Sequence, residues 1–128
     1  MSEPTTPSPS SSDREELRDL TPDEARLLAR LLEPDFPGRS ELVEQAQDSL
    51  ARTLDSNGSL ELAPRSGSAS PVERRIPVEA DGEDQDGVVI HVLLHVLDGR
   101  LNELEIYRED SLPLNLAVDP DRLRVVVF

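Results

Sequence analysis

The chain has 128 residues, and its 27 Asp and Glu against 13 basic residues give a formal net charge of −14. That balance excludes the clustered cations that phosphate backbones and anionic lipid surfaces require, so neither nucleic acid nor a membrane is expected as a partner. With no cysteine in the chain, disulfides, thiolate catalysis and Cys-ligated zinc are excluded as well.

Residues 1–20 are rich in Pro, Ser and Thr and lack apolar periodicity, which predicts a disordered tail followed by a single domain over 21–128. No basic patch leads into an apolar stretch, as a secretory signal needs. No run has the length of a bilayer span. The expected location is the cytoplasm. Five of the 27 acids and two of the 13 basic residues lie in residues 1–20, leaving 22 against 11, so the domain alone carries about −11. Every basic residue is arginine, a composition typical of GC-rich genomes. The aromatic residues are Phe36, Tyr107 and Phe128, so the core must be built from Leu, Val and Ile.

Thr21-Pro22-Asp23-Glu24 offers an N-cap hydroxyl, Pro at the first helical position and a capping-box Glu. Ala25, Leu27, Leu28, Leu31 and Leu32 then recur at helical spacing, and Pro34 stops the helix. Phe36 is placed to plug the core from the turn at Pro34–Gly38. A second helix follows, with Leu42, Val43, Ala46 and Leu50 on one side and Glu44, Gln45, Gln47 and Asp48 elsewhere. Ala51–Leu54 reads as a strand pairing with Ser59–Ala63 across the Asp55–Gly58 turn, where Asn-Gly is strong turn chemistry. Arg65–Pro71 is a loop. Val72–Ala80 alternates apolar and charged residues as a strand would, with Pro77 arguing for an edge or a bulge. An acidic turn over Asp81–Asp86 leads into a hairpin. Beyond it lie Leu114–Val118, an Asp-Pro-Asp turn at Asp119–Asp121 and the apolar run Arg124–Phe128.

The hairpin, Gly87 to Tyr107, turns at Asp98-Gly99 and admits two registers. A tight turn pairs Leu97 with Arg100 and Leu93 with Leu104. A type I turn with a Gly bulge sets Ile90 against Ile106, Val92 against Leu104 and His91 against Glu105. A one-residue slip exchanges the faces. The bulged register gathers Val88, Ile90, Val92, Leu94, Val96, Leu104 and Ile106 on one apolar face, and is the one expected. The other face then carries His91, His95, Glu103, Glu105 and Tyr107, the candidate ligand or partner residues.

His91 and His95 share that face but lie roughly 13 Å apart at about 3.3 Å per residue, too far for one metal ion. No metal and no cofactor is expected. Asp81–Gly87 does not fit a calcium-binding loop, because a strand follows where ligands should be. No phosphate loop, nucleophile elbow or Ser/His/Asp arrangement is present, so no catalytic residue is assigned.

Phe36-Pro37-Gly38-Arg39, Gly58–Leu62, Arg74–Ala80, His91–Val96 and Glu103–Asp110 together resemble a family of small uncharacterised bacterial proteins from GC-rich genomes. The resemblance covers roughly residues 21–118 and implies no activity. Its effect is to favour the strand reading of Ala51–Leu54.

The expected fold is α+β: two N-terminal helices packed on one face of an antiparallel sheet of about five or six strands, with the His/Glu face partly open. The leading expectation for function is a non-catalytic protein-binding module, immunity-like or sequestering a basic partner. Alternatives are a small-ligand domain using His91, Glu105 and Tyr107, and an enzyme with His91 as base oriented by Glu105. Self-association through the open face, as a homodimer, is compatible with each.

Overall fold

A computed structural model describes residues 16–128. Its first element is a two-residue strand, β1 (Arg18–Asp19), inside the segment expected as a tail. Residues 1–15 of that tail lie outside the described residues. Helix α1 (Pro22–Leu31) begins at the predicted capping box, with Thr21 Oγ1 accepting from the Glu24 amide and the Glu24 carboxylate accepting from the Thr21 amide. Helix α2 (Arg39–Ala46) is entered through Gly38. Strands β2 (Ser49–Thr53) and β3 (Leu60–Pro64) form the expected hairpin, so Leu50, assigned from sequence to the second helix, belongs to a strand. Strands β4 (Val78–Glu83), β5 (Val89–Leu97) and β6 (Arg100–Arg108) follow, then a 3-10 turn at Pro120–Arg122 and β7 (Arg124–Val127).

All seven strands join one antiparallel sheet in the order β1-β2-β3-β6-β5-β4-β7, rather than five or six, and β1 precedes the helices. The two extra strands are the short edges. β1 spans two residues, too few for alternation to be read from sequence, and β7 is an Arg followed by three Val, with no alternation to read. Inner-face residues Ala51, Leu62, Val78, Val92, Leu94 and Leu104 pack with Leu28, Leu31, Leu32 and Leu42 of the helices in one core cluster. Phe36 joins them as expected.

The hairpin adopts neither expected register along its whole length. Leu97 pairs with Arg100 and Val96 with Leu101 around a tight turn whose central residues both have positive φ, Asp98 at 54° and Gly99 at 77°. A bulge then intervenes, and His95 faces Glu103, Leu94 faces Leu104 and Val92 faces Ile106. Asn102 is the extra residue. It restores the inward parity of Leu104 and Ile106, so the apolar face is the predicted one although each pairing is displaced by two residues from the one expected. Leu101, just before the bulge, is buried as well.

The strand expected over Val72–Ala80 starts only at Val78 and runs on through Glu83, so Asp81–Glu83 are strand and the turn is confined to the residues after them. Pro77 stands just before the strand, where no ladder donor is required, and β4 is an interior strand between β5 and β7. Gln45, read from sequence as a polar-side residue, is fully buried. Its amide donates to Ser68 O and Gly99 O and accepts from the Leu101 N–H at 2.9 Å, tying α2 to the turn of the hairpin. No helix among the described residues is long and apolar enough to cross a membrane.

Candidate functional site

Both helices lie on one side of the sheet, and alternation sends every second residue of each strand to the other side. In β5 and β6 that sends out His91, Leu93, His95, Glu103, Glu105 and Tyr107, all partly exposed. The five residues singled out from sequence therefore do share one face. β4 adds Glu79, Asp81 and Glu83 beside β5, and β3 adds Glu61 directly opposite Glu103. These neighbours could not be placed from sequence, because nothing local tells which strand borders which.

The pairings differ from those expected. His91 stands opposite Tyr107, not Glu105, and the two rings stack with centroids 4.9 Å apart and planes 22° from parallel. His91 Nε2 contacts Glu109 Oε1 at 2.9 Å. Glu105 is held instead by His95, whose Nε2 lies 2.9 Å from Glu105 Oε1. The expected His91–Glu105 acid–base pair does not form, because the tight turn and the bulge at Asn102 each move the register by one, so that beyond the bulge every partner of β5 lies two positions further along β6 than expected.

His95 Nδ1 is buried and has no partner. The ring's proton belongs on Nε2, where the Glu105 carboxylate accepts it, because a bare buried lone pair costs less than a buried donor without an acceptor. His95 so fixes the orientation of Glu105. Burial, with the carboxylates of Glu105, Glu79 and Glu109 around it, raises the Tyr107 phenol above its ordinary pKa, so the ring is neutral and its edge faces a field of negative charge.

The face is unevenly compensated. Arg52 pairs with Glu61 at 2.6 Å and Arg124 with Asp81 at 3.0 Å. Among the described residues, the side chains of Glu79 and Glu103 take part in no hydrogen bond or ion pair. Glu103 is the more exposed to repulsion. It stands across from Glu61 on one side and two residues from Glu105 on its own strand. Like charges placed opposite one another in a sheet oppose folding.

A second charged cluster, at the end of the same hairpin, is structural. Arg108 points inward with 3 % of its surface exposed. It contacts Asp84 at 2.9 Å, Asp86 at 3.0 Å and Asp110 at 2.6 Å. Asp84 also accepts from the amides of Gln85, Asn115 and Leu116 and so clasps the segment after β6 to the β4–β5 turn. The acidic run rejected as a calcium loop has a resident cation, the guanidinium of Arg108. Strand parity alone predicts this burial, since Arg108 falls on the same face as Leu104 and Ile106.

The open face is not a pocket. A groove of about 600 Å³ runs between the helices and β1, and one of about 430 Å³ lies beside the 3-10 turn. Neither is lined by His91, His95, Glu103, Glu105 or Tyr107.

No curated protein and no solved structure matches the chain. A family described as a domain of unknown function, DUF6984, matches residues 17–118, which takes in β1 through β6 and every residue of the open face between Glu61 and Glu109. The chain belongs to the DUF6984 family.

Proposed function

We propose that this domain is a non-catalytic binding module that docks a basic protein surface on its open sheet face. The observation that carries the reading is the uncompensated acidity of an uncovered sheet. Glu103 and Glu105 are successive outward residues of β6, Glu61 stands across from Glu103 on β3, and Glu79 lies on β4 beyond Leu93, while Arg52 and Arg124 are already engaged with Glu61 and Asp81. A partner bearing arginines would relieve repulsion that the domain retains at a cost to its own stability, and the field would speed encounter. Tyr107, 38 % exposed, supplies an aromatic surface for a guanidinium to stack on. A second copy of the chain is a poorer occupant, because face-to-face pairing brings the same carboxylates together. An enzyme reading lacks convergent polar groups around a cavity, and a small ligand lacks the enclosing walls it needs.

The test is a titration of the full-length protein with an oligo-arginine peptide, followed by amide chemical shifts. Perturbation is expected at residues 79–81, 91–95 and 103–107, and the affinity should fall steeply between about 50 and about 200 mM salt. Replacing Glu103→Gln with Glu105→Gln should weaken binding about tenfold. The same change of charge at the exposed Glu44 and Glu73 should have little effect. Equal losses from both double variants would reduce the interaction to net charge and overturn the reading.

A further inference from the structure

We infer that His95, Glu103 and Glu105 form a binding site for a divalent transition-metal ion of the zinc class. One ligand atom from each of these residues lies within 4.8 Å of the other two, all partly buried on the open face. The arrangement follows from the register. His95 is directly across from Glu103, and Glu105 is the next outward residue of β6. Cross-strand and next-but-one neighbours thus converge three ligands from two adjacent strands. The sequence could not show it, because attention falls there on His91 and His95, which the strand keeps apart.

The chemistry of the donor set selects the ion. One imidazole nitrogen with two carboxylates suits zinc and its neighbours better than calcium or magnesium, which take oxygen ligands. Tetrahedral zinc, with bonds of about 2.1 Å, holds its ligand atoms about 3.4 Å apart. Rotation of the Glu103 side chain, which nothing ties down, can close the difference. The state of Glu103 favours occupancy. This residue is partly buried between Glu61 and Glu105 and across from His95, and among the described residues its carboxylate has no hydrogen bond or ion pair. A divalent ion placed there cancels the repulsion. The fourth position faces solvent.

One feature limits the affinity. A metal on Nε2 displaces the ring proton to Nδ1, which is buried and has no acceptor. Sites whose histidine lacks such an outer partner bind about 10- to 100-fold more weakly than those that have one. The site therefore holds its ion reversibly. The inference goes beyond the basic-partner reading, though both draw on the same carboxylates, and zinc and an arginine-bearing partner should compete.

The experiment uses the full-length protein with zinc alone as the probe, read by calorimetry and by the imidazole ¹⁵N resonances. One saturable site is expected, with the His95 Nε2 resonance shifted and that of His91 unchanged. His95→Ala and Glu103→Gln should each lower the affinity about tenfold or more, while Glu109→Gln should leave it unchanged. Uptake without saturation, or an equal loss from Glu109→Gln, would show adsorption to scattered carboxylates and overturn the proposal. Because no peptide is present, failure here is separate from failure of the oligo-arginine titration.

Discussion

Arg108 occupies an inward position of a central strand where alternation calls for an apolar side chain, and its burial depends on the aspartates gathered around it. Breaking a buried ion pair from one side leaves the other charge stranded in a medium that cannot solvate it. The Asp110 carboxyl, paired with Arg108 and accepting from the Leu112 amide, is held down to about 2. Asp84 is lowered too, first by the Asn115 amide and, against its burial, by Gln85, Arg108 and Leu116. Both folded values lie below the unfolded one of about 3.9. Their contribution is therefore complete above that value and is lost as the pH falls through the folded values toward 2. Arg108→Met should raise the midpoint of acid unfolding, followed by circular dichroism, by about one pH unit or more. Superimposable acid curves for the variant and the parent would remove Arg108 from this role.

At the scale of elements, the hairpin shows what a sequence discloses and what it withholds. The capping box at Thr21, the Asn57-Gly58 turn and the apolar face of β5 and β6 are local patterns, and each is legible. The bulge at Asn102 is not, and neither is the contact of the adjoining Asp98-Gly99 turn with the loop at Ser70, whose N–H donates to Gly99 O. A Cβ on Gly99 would stand 2.6 Å from Ser70 O. Its φ is +77° as well. Gly87 has a similar φ, +86°, with nothing within 4 Å of the added carbon. Gly87→Ala should then cost only the conformational strain, about 1 to 2 kcal/mol. Gly99→Ala should cost that and a steric term, about 3 kcal/mol or more, measured by urea unfolding. Equal losses would mean that the Ser70 loop simply yields.

The candidate site was legible as a set of residues but not as a set of contacts. His91, His95, Glu103, Glu105 and Tyr107 share a face because side chains alternate, and that survives a two-residue change of register. Which histidine holds which glutamate does not survive it. The strand over Val78–Glu83 is displaced from its expected place for another reason, since Val72 and Ile76 flanking charged residues resemble a strand, while Asp81, Gly82 and Glu83 resemble a turn.

Over the whole molecule, the charge of −14 acts on stability and on association with opposite signs. Self-repulsion opposes the compact state, so raising sodium chloride from about 20 to about 300 mM should raise Tm by a few degrees. The same addition should weaken the oligo-arginine complex. A Tm indifferent to salt would mean that the pairs at Arg52, Arg108 and Arg124 already balance the field.

The sheet order divides the strands into two meanders, β1-β2-β3 and β6-β5-β4-β7, joined by only two registered pairs, Leu60 with Leu104 and Glu61 with Glu103. Pairs within the β2–β3 and β5–β6 hairpins are near in sequence, whereas the joint closes a loop from residue 60 to residue 104. Loop-closure entropy delays such a joint relative to the hairpins on either side. The β2–β3 and β4–β5–β6 hairpins are thus free to form early and separately, whereas the joint, like the docking of β7 on β4 (Val78 with Val127), waits on the closure of a long loop. Glu61 and Glu103 meet in that joint, so the like-charge pair that makes the face receptive to a cation also stands at the step where the two halves become one sheet.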